Sequence, residues 1–283
     1  MSSRPTQRWR KIEVGLTRVA TMDTQTDITQ SPFAEIFPRL YELRDAVPDL
    51  THPDAYFQHF AERLVESEHV RSLYLKVERS LGALDPEAWR DLKERASLYL
   101  MVRDPKRGWQ ALFNTLNEAK GYAYLQSSGC TDIGFIGRAK KKKKKTPDLR
   151  AIQDRTSVLC EVKTINVSQD EAERRTQIAH GAVLGSSAAL QLTAEMLKKV
   201  SVTLQHAIEQ LDYEDPQRTA RRIVFTVLNF DDWVGDYQTE YIANLDAHLL
   251  ANPVASAELV FCPASNLFAN RRFTMQSATV VEI

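Results

Sequence analysis

The chain has 283 residues, 43% of them hydrophobic, and sets 37 Lys plus Arg against 37 Asp plus Glu for a formal net charge of zero. That length suffices for one large domain or two small ones with a well-buried core, and the balanced charge excludes an overall positive field, so any nucleic-acid partner depends on local basic clusters. No stretch approaches the ~18 apolar residues of a membrane span and the N-terminus lacks the apolar core of a secretory signal, so a cytoplasmic protein with no membrane partner is expected.

Residues 1–30 end in the Thr-rich run MDTQTDITQ, carry little to bury and read as a disordered tail or linker. From 31 to 104 apolar residues recur at three- and four-residue spacing and predict an all-α lobe: helices over FAEIFPRLYELRDAV, DAYFQHFAERLVES, HVRSLYLKVERSLG and DPEAWRDLKERASLYLM. Asp85 ahead of Pro86 and Glu87 marks a helix start, because Asp caps free amides and Pro suits the first turn. His52, His59 and His69 form no i, i+4 pair and read as surface or satisfied histidines.

Residues 105–283 are expected to form the second domain. It opens with an amphipathic helix, WQALFNTLNEAKG, closed by Gly121 at a C-cap, and then a strand over YAYLQSSG. The following CTDIGFIGRAKKKKKKTPD reads as a loop holding six consecutive lysines: Lys140, Lys141, Lys142, Lys143, Lys144 and Lys145. A block of like charge stays solvated, yet this one ends just before Asp148, where cations attract a phosphate backbone; a DNA-touching loop and a bystander loop both fit.

From Thr146 to Asn166 two short apolar arms flank a polar break at Gln153–Thr156, the pattern of a β-hairpin. With the turn centred between Asp154 and Arg155, paired positions sum to 309, so Leu149 faces Cys160, Ala151 faces Val158 and Asp148 falls opposite Glu161. Alternation then gives Leu149, Ala151, Val158, Cys160 and Val162 one apolar face and Asp148, Glu161 and Lys163 the other. Opposed carboxylates repel unless a cation lies between them. With the Val162 backbone carbonyl they offer the hard oxygen donors that Mg²⁺ prefers, and Lys163 is placed to hold a water or balance phosphate charge.

Beyond the hairpin, Ser168 and Glu171 make a capping box, and a second helical run, AALQLTAEMLKKVSVTLQHAIEQLDY, reaches about Tyr213. Its basic pair Lys198 and Lys199 reads as solvated. ARRIVFTVLNF, β-branched and apolar, predicts a buried central strand entered by a parallel crossover; Asp231 and Asp232 after it read as turn formers. TEYIANLDAHLL predicts a helix, and AELVFCP and ATVVEI predict strands that extend or flank the sheet. Cys130, Cys160 and Cys262 lie in no metal-ligand spacing and fit buried free thiols in a reducing compartment.

Pro147, Asp148, Glu161, Val162 and Lys163, on a hairpin between two helices, resemble the signature of the PD-(D/E)xK nuclease superfamily. The resemblance implies an α/β fold with a restriction-endonuclease-like α-β-β-β-α-β core and a mixed sheet, preceded here by the helical lobe. It implies Asp148 and Glu161 as Mg²⁺ ligands, with Mn²⁺ as substitute, and Lys163 as the residue that assists the water. Family members also carry an acid on the first core helix, so the resemblance makes Glu118, the acid in that stretch, a candidate further metal ligand; because it falls near the expected helix end, a solvent-facing helix residue fits as well. The function implied is a Mg²⁺-dependent deoxyribonuclease hydrolysing phosphodiester bonds with an activated water. The alternative is a catalytically weak nuclease-fold protein serving as a nucleic-acid-binding or protein-interaction module. The expected partners are DNA and, as an open option, a second copy of the chain in a homodimer.

Overall fold

A computed structural model describes residues 32–137, 146–167, 192–229, 238–254, 256–263 and 274–281, together with Glu173, Gln177 and Ile283. Its first part is helical, as the three- and four-residue spacing predicts: α1 (Pro38–Arg44), α2 (Phe60–Glu66), α3 (Glu68–Gly82) and α4 (Pro86–Ser97). Asp85 caps α4 by accepting from the backbone amides of Glu87 and Ala88 at 2.9 and 2.8 Å. The start of α1 has no side-chain cap of its own. Instead the buried carboxylate of Glu78, from α3, accepts from the amides of Arg39 at 2.9 Å and Leu40 at 3.0 Å. Those orphan amides are satisfied from 38 residues or more away, which ties two helices of the lobe together.

The stretch that follows corrects the sequence expectation. A first helix, α5 (Gln110–Leu116), ends at Asn117, and a second, α6 (Glu118–Ser127), continues through the segment expected to be a strand. Gly121 is therefore not a C-cap but an interior residue of α6. A Cβ there would stand 2.5 Å from Val162 Cγ2, so glycine is what lets the helix lie close on the sheet. The first strand comes later, β1 (Thr131–Phe135), inside the segment expected to be a loop.

The sheet has six strands in the order β1–β2–β3–β4–β5–β6, with β2 (Leu149–Gln153), β3 (Thr156–Ile165), β4 (Arg221–Leu228), β5 (Glu258–Pro263) and β6 (Thr279–Val280). β1, β2 and β3 pair antiparallel, and β3 through β6 pair parallel, so the sheet is mixed. The hairpin register is the predicted one: Leu149 with Cys160, Ala151 with Val158, Gln153 with Thr156. Asp154 and Arg155 carry φ of 47° and 67°. Two successive left-handed residues make the tight turn whose twist matches the strands it joins.

Two further helices, α7 (Ala194–Glu214) and α8 (Gln238–Ala251), complete the described elements. Thr193 caps α7 by accepting from the Met196 amide. Alternation along the strands divides the interior into two cores. Leu149, Ala151, Val158, Cys160 and Val162 join Phe225, Val227 and Val260 and the helical residues of α1–α6 on one face. Leu159, Ile165, Val224, Leu228 and Phe261 join α7 and α8 on the other. The helical lobe thus shares its core with the sheet, and Pro32–Ile283 cluster as one unit. Cys130, Cys160 and Cys262 are all buried and in the thiol form. Among the described residues no helix is long and apolar enough to cross a membrane.

Candidate functional site

The hairpin and the crossover helix bring together what the sequence pattern singles out. Glu161 and Lys163 lie two residues apart on β3 and share the face that holds Leu159 and Ile165, the face covered by α7. Asp148 stands one residue before β2. Its backbone carbonyl accepts from the Ile136 amide at 2.9 Å, and its carboxylate accepts from the Val162 amide at 2.9 Å. Asp148 is therefore held from both sides, by the chain following β1 and by β3.

The chemistry-bearing face is not open to solvent as a bare sheet surface would be, because α7 closes over it. Glu161 is 1% exposed. Its Oε1 accepts from Lys163 Nζ, while its Oε2 is buried with no hydrogen-bond partner among the described residues. Burial first, and then the negative charge of Asp148, push the Glu161 carboxyl up from the usual carboxylate range to about 8; Lys163 pulls the other way. A carboxylate so placed gains from an added cation, since desolvation and like charge both disfavour its ionised form.

Gln210, on α7, is the site residue that sequence reasoning missed. Its Oε1 accepts from Lys163 Nζ at 2.7 Å, and its Nε2 donates to the Thr146 carbonyl at 3.2 Å. One amide thus links the lysine to the chain just ahead of Asp148. Gln210 flanks the buried stripe of Ala207, Ile208 and Leu211, so its place at the helix edge was readable, but its target was not. Lys199 also departs from expectation: its ammonium donates to the carbonyls of Asn166 at 2.6 Å and Val167 at 3.1 Å, pinning the chain that leaves β3.

Glu118 opens α6 instead of ending a helix. It is 5% exposed, and its Oε2 accepts from Arg95 at 2.5 Å. Arg95 also donates to Asp91 at 2.9 Å and stacks over the Phe135 ring. Glu118 adds to the rise of the Glu161 carboxyl, as the last of its causes, but its carboxylate is engaged by the helical lobe. Among the described residues no group of three or more His, Cys, Asp or Glu side chains is arranged to hold a metal. Lys140 to Lys145, the capping-box residues Ser168 and Glu171, and Asp231 and Asp232 lie outside the described residues.

Compared with family models, with curated proteins and with solved structures, the chain finds no match. The local chemistry of Asp148, Glu161, Lys163 and Gln210 therefore carries the functional argument.

Proposed function

We propose that the chain is a metal-dependent nuclease that hydrolyses DNA phosphodiester bonds. The observation that carries this reading is the Glu161 carboxylate, buried beside Asp148 with Oε2 unpartnered among the described residues and Oε1 bonded to Lys163. These donors suit a hard divalent cation such as Mg²⁺, which takes oxygen ligands and keeps several waters. In this reading Asp148, Glu161 and the Val162 carbonyl hold the ion; Glu118 is assigned to its ion pair with Arg95. When bound, such an ion lowers the pKa of a coordinated water and offsets charge on a phosphoryl oxygen.

The chain's own side chains do the rest. Lys163, donating to Glu161 and Gln210, keeps a third N–H for a water or a phosphoryl oxygen, and its positive charge opposes the negative charge that builds as water adds to phosphorus. Gln210 fixes where that ammonium stands. Asp148, anchored by the Val162 amide, holds its carboxylate at the end of the hairpin. The α-β-β-β-α-β order running from α5 and α6 through β1, β2, β3 and α7 to β4 is compatible with the resemblance to PD-(D/E)xK nucleases and supports the same reading. A restriction-endonuclease-like arrangement belongs to this proposal, as do DNA as the partner and phosphate contacts by Lys140 to Lys145.

That no group of three or more His, Cys, Asp or Glu side chains is arranged to hold a metal among the described residues favours a second reading, a nucleic-acid-binding module with little turnover. Linear and circular DNA incubated with Mg²⁺, with Mn²⁺ and with EDTA separate the two. Cleavage that needs the metal and is lost in Lys163→Ala supports the nuclease. Undiminished cleavage in EDTA overturns it, and binding without cleavage in every metal favours the module.

A further inference from the structure

Among the described residues five buried side-chain polar atoms have no hydrogen-bond partner; Glu161 Oε2 and Thr226 Oγ1 stand on the same face of adjacent strands, and Arg222 Nε and Nη1 lie farther along that face of β4. The parallel register places Lys163 beside Thr226 and Glu161 beside Val224. Val224 and Leu228 on β4 join Leu159 and Ile165 on β3 in the core beneath α7, so alternation puts Thr226 on that side too. Thr226 is fully buried and is the one polar residue in the run Ile223–Leu228. An unpaired hydroxyl in such a place is costly where a valine of nearly the same shape packs without penalty. The hydroxyl therefore needs a partner, and the neighbours that can supply one are Lys163 and Glu161.

Lys163 has three N–H donors, of which one goes to Glu161 Oε1 and one to Gln210 Oε1. The third N–H, Glu161 Oε2 and the Thr226 hydroxyl make a polar set of the size that holds a buried water, which typically takes two to four hydrogen bonds. We propose that Thr226 is a positioning residue of this site: in the metal-free protein its hydroxyl, Glu161 Oε2 and Lys163 share one bound water molecule that fixes the carboxylate and the ammonium relative to each other. Arg222, four residues from Thr226 on the same face of β4, pairs in register with Leu159 and not with Lys163; its Nη2 turns to Asp212 at 2.9 Å and to the Ile208 carbonyl, and its unpartnered Nε and Nη1 are not assigned to this set.

The coupling is independent of catalysis and is tested without it. Thr226→Val removes the hydroxyl at nearly constant shape, and Glu161→Met removes both carboxylate oxygens at nearly constant length. Thermal melts in EDTA of the two variants and of the double variant form a cycle. Thr226→Val is expected to lower the melting temperature by roughly 2–4 °C in the wild-type background and by less than about 1 °C in Glu161→Met. Lys163→Met replaces Glu161→Met as the second background if the latter does not fold. A Thr226→Val variant that melts at or above wild type, or that loses the same amount in both backgrounds, overturns the proposal.

The consequence for turnover rests on the nuclease reading, in which the ion takes Glu161 and the Thr226 hydroxyl acts through Lys163 alone: kcat falls about tenfold in Thr226→Val with KM unchanged, and Thr226→Ser, which keeps the hydroxyl, restores it. If wild-type protein cleaves no DNA with Mg²⁺ or Mn²⁺, the nuclease reading fails while the melting cycle still decides the role of Thr226.

Discussion

Gly121 of α6 and Val162 of β3 approach so closely that a methyl group on residue 121 would lie 2.5 Å from Val162 Cγ2 and 3.3 Å from Leu149 Cδ1. Val162 sits between Glu161 and Lys163, so the glycine sets how near the helical lobe comes to the strand that carries the site. Alanine has better helix propensity, but the contact is with a short, stiff side chain that has little room to move. Gly121→Ala is expected to lose about 1–3 kcal/mol of stability, the range for overpacking a filled core. Denaturant melts check it, and Val162→Ala in the same chain should recover part of the loss. A Gly121→Ala protein as stable as wild type contradicts the close packing.

Elements with a local signal were legible in the sequence, and those fixed by tertiary packing were not. The hairpin was readable because a left-handed pair at Asp154–Arg155 and strict alternation in its arms are local signals. β4 was readable as a buried run, and its parallel pairing with β3 followed from the long crossover before it. α6 was not. It is buried on nearly every side, Glu118 to Leu125, so no polar face reveals a helical period, and its tyrosines suggest a strand. Tyr122 instead bonds to Asp85 and Tyr124 to Glu258, contacts that only the assembled fold supplies. β1 was missed because Asp132 takes φ 49° and the register shifts between Thr131 and Gly134, which breaks alternation in a short edge strand. At the site, the Asp148, Glu161 and Lys163 pattern was visible, whereas Thr226, one hydroxyl inside an apolar run, was not singled out. Gln210 lies 47 residues beyond Lys163, and nothing local names its partner.

Glu161 gives the metal-free protein a distinctive pH dependence. Its carboxyl is held at about 8 against 4.5 for the free group, so the folded state binds the proton more tightly than the unfolded chain does. The stabilisation this confers is fully present below pH ~4.5 and is lost as the pH rises through about 8. In EDTA, Glu161→Gln should therefore gain on wild type between pH 5 and 8, by on the order of a few kcal/mol. Chemical denaturation at several pH values measures this, and parallel curves for the two proteins would show that Glu161 is not held protonated.

Asp148→Asn separates the structural role of that residue from its charge. The asparagine side chain retains an oxygen able to accept from the Val162 amide, which Asp148 holds at 2.9 Å, while the charge that raises Glu161 is gone. Without metal the variant should melt no lower than wild type. With Mg²⁺ the order should reverse, since a ligand that binds the folded wild type stabilises it by mass action and the variant has lost a ligand group. Cleavage should drop by a hundredfold or more, about 2.7 kcal/mol of barrier. Equal Mg²⁺ shifts in the two proteins would show that Asp148 does not hold the ion.

Gln210 offers the sharpest test of how the lysine is placed. Lys163 is held by Glu161 on its own strand and by Gln210 from α7, and only Gln210 also reaches the Thr146 carbonyl ahead of Asp148. Gln210→Leu keeps the volume at the edge of the α7 stripe but removes both bonds. A hydrogen bond to a charged group contributes about 1.5–3 kcal/mol, so kcat should fall roughly ten- to a hundredfold. KM should stay near wild type, because Gln210 acts on the ammonium and has no proposed contact with DNA. If its effect passes through Lys163 alone, adding Gln210→Leu to Lys163→Ala should cost nothing further. Full additivity of the two substitutions would assign Gln210 a separate contact with the substrate, and an unchanged rate for Gln210→Leu would show that Glu161 alone positions the lysine.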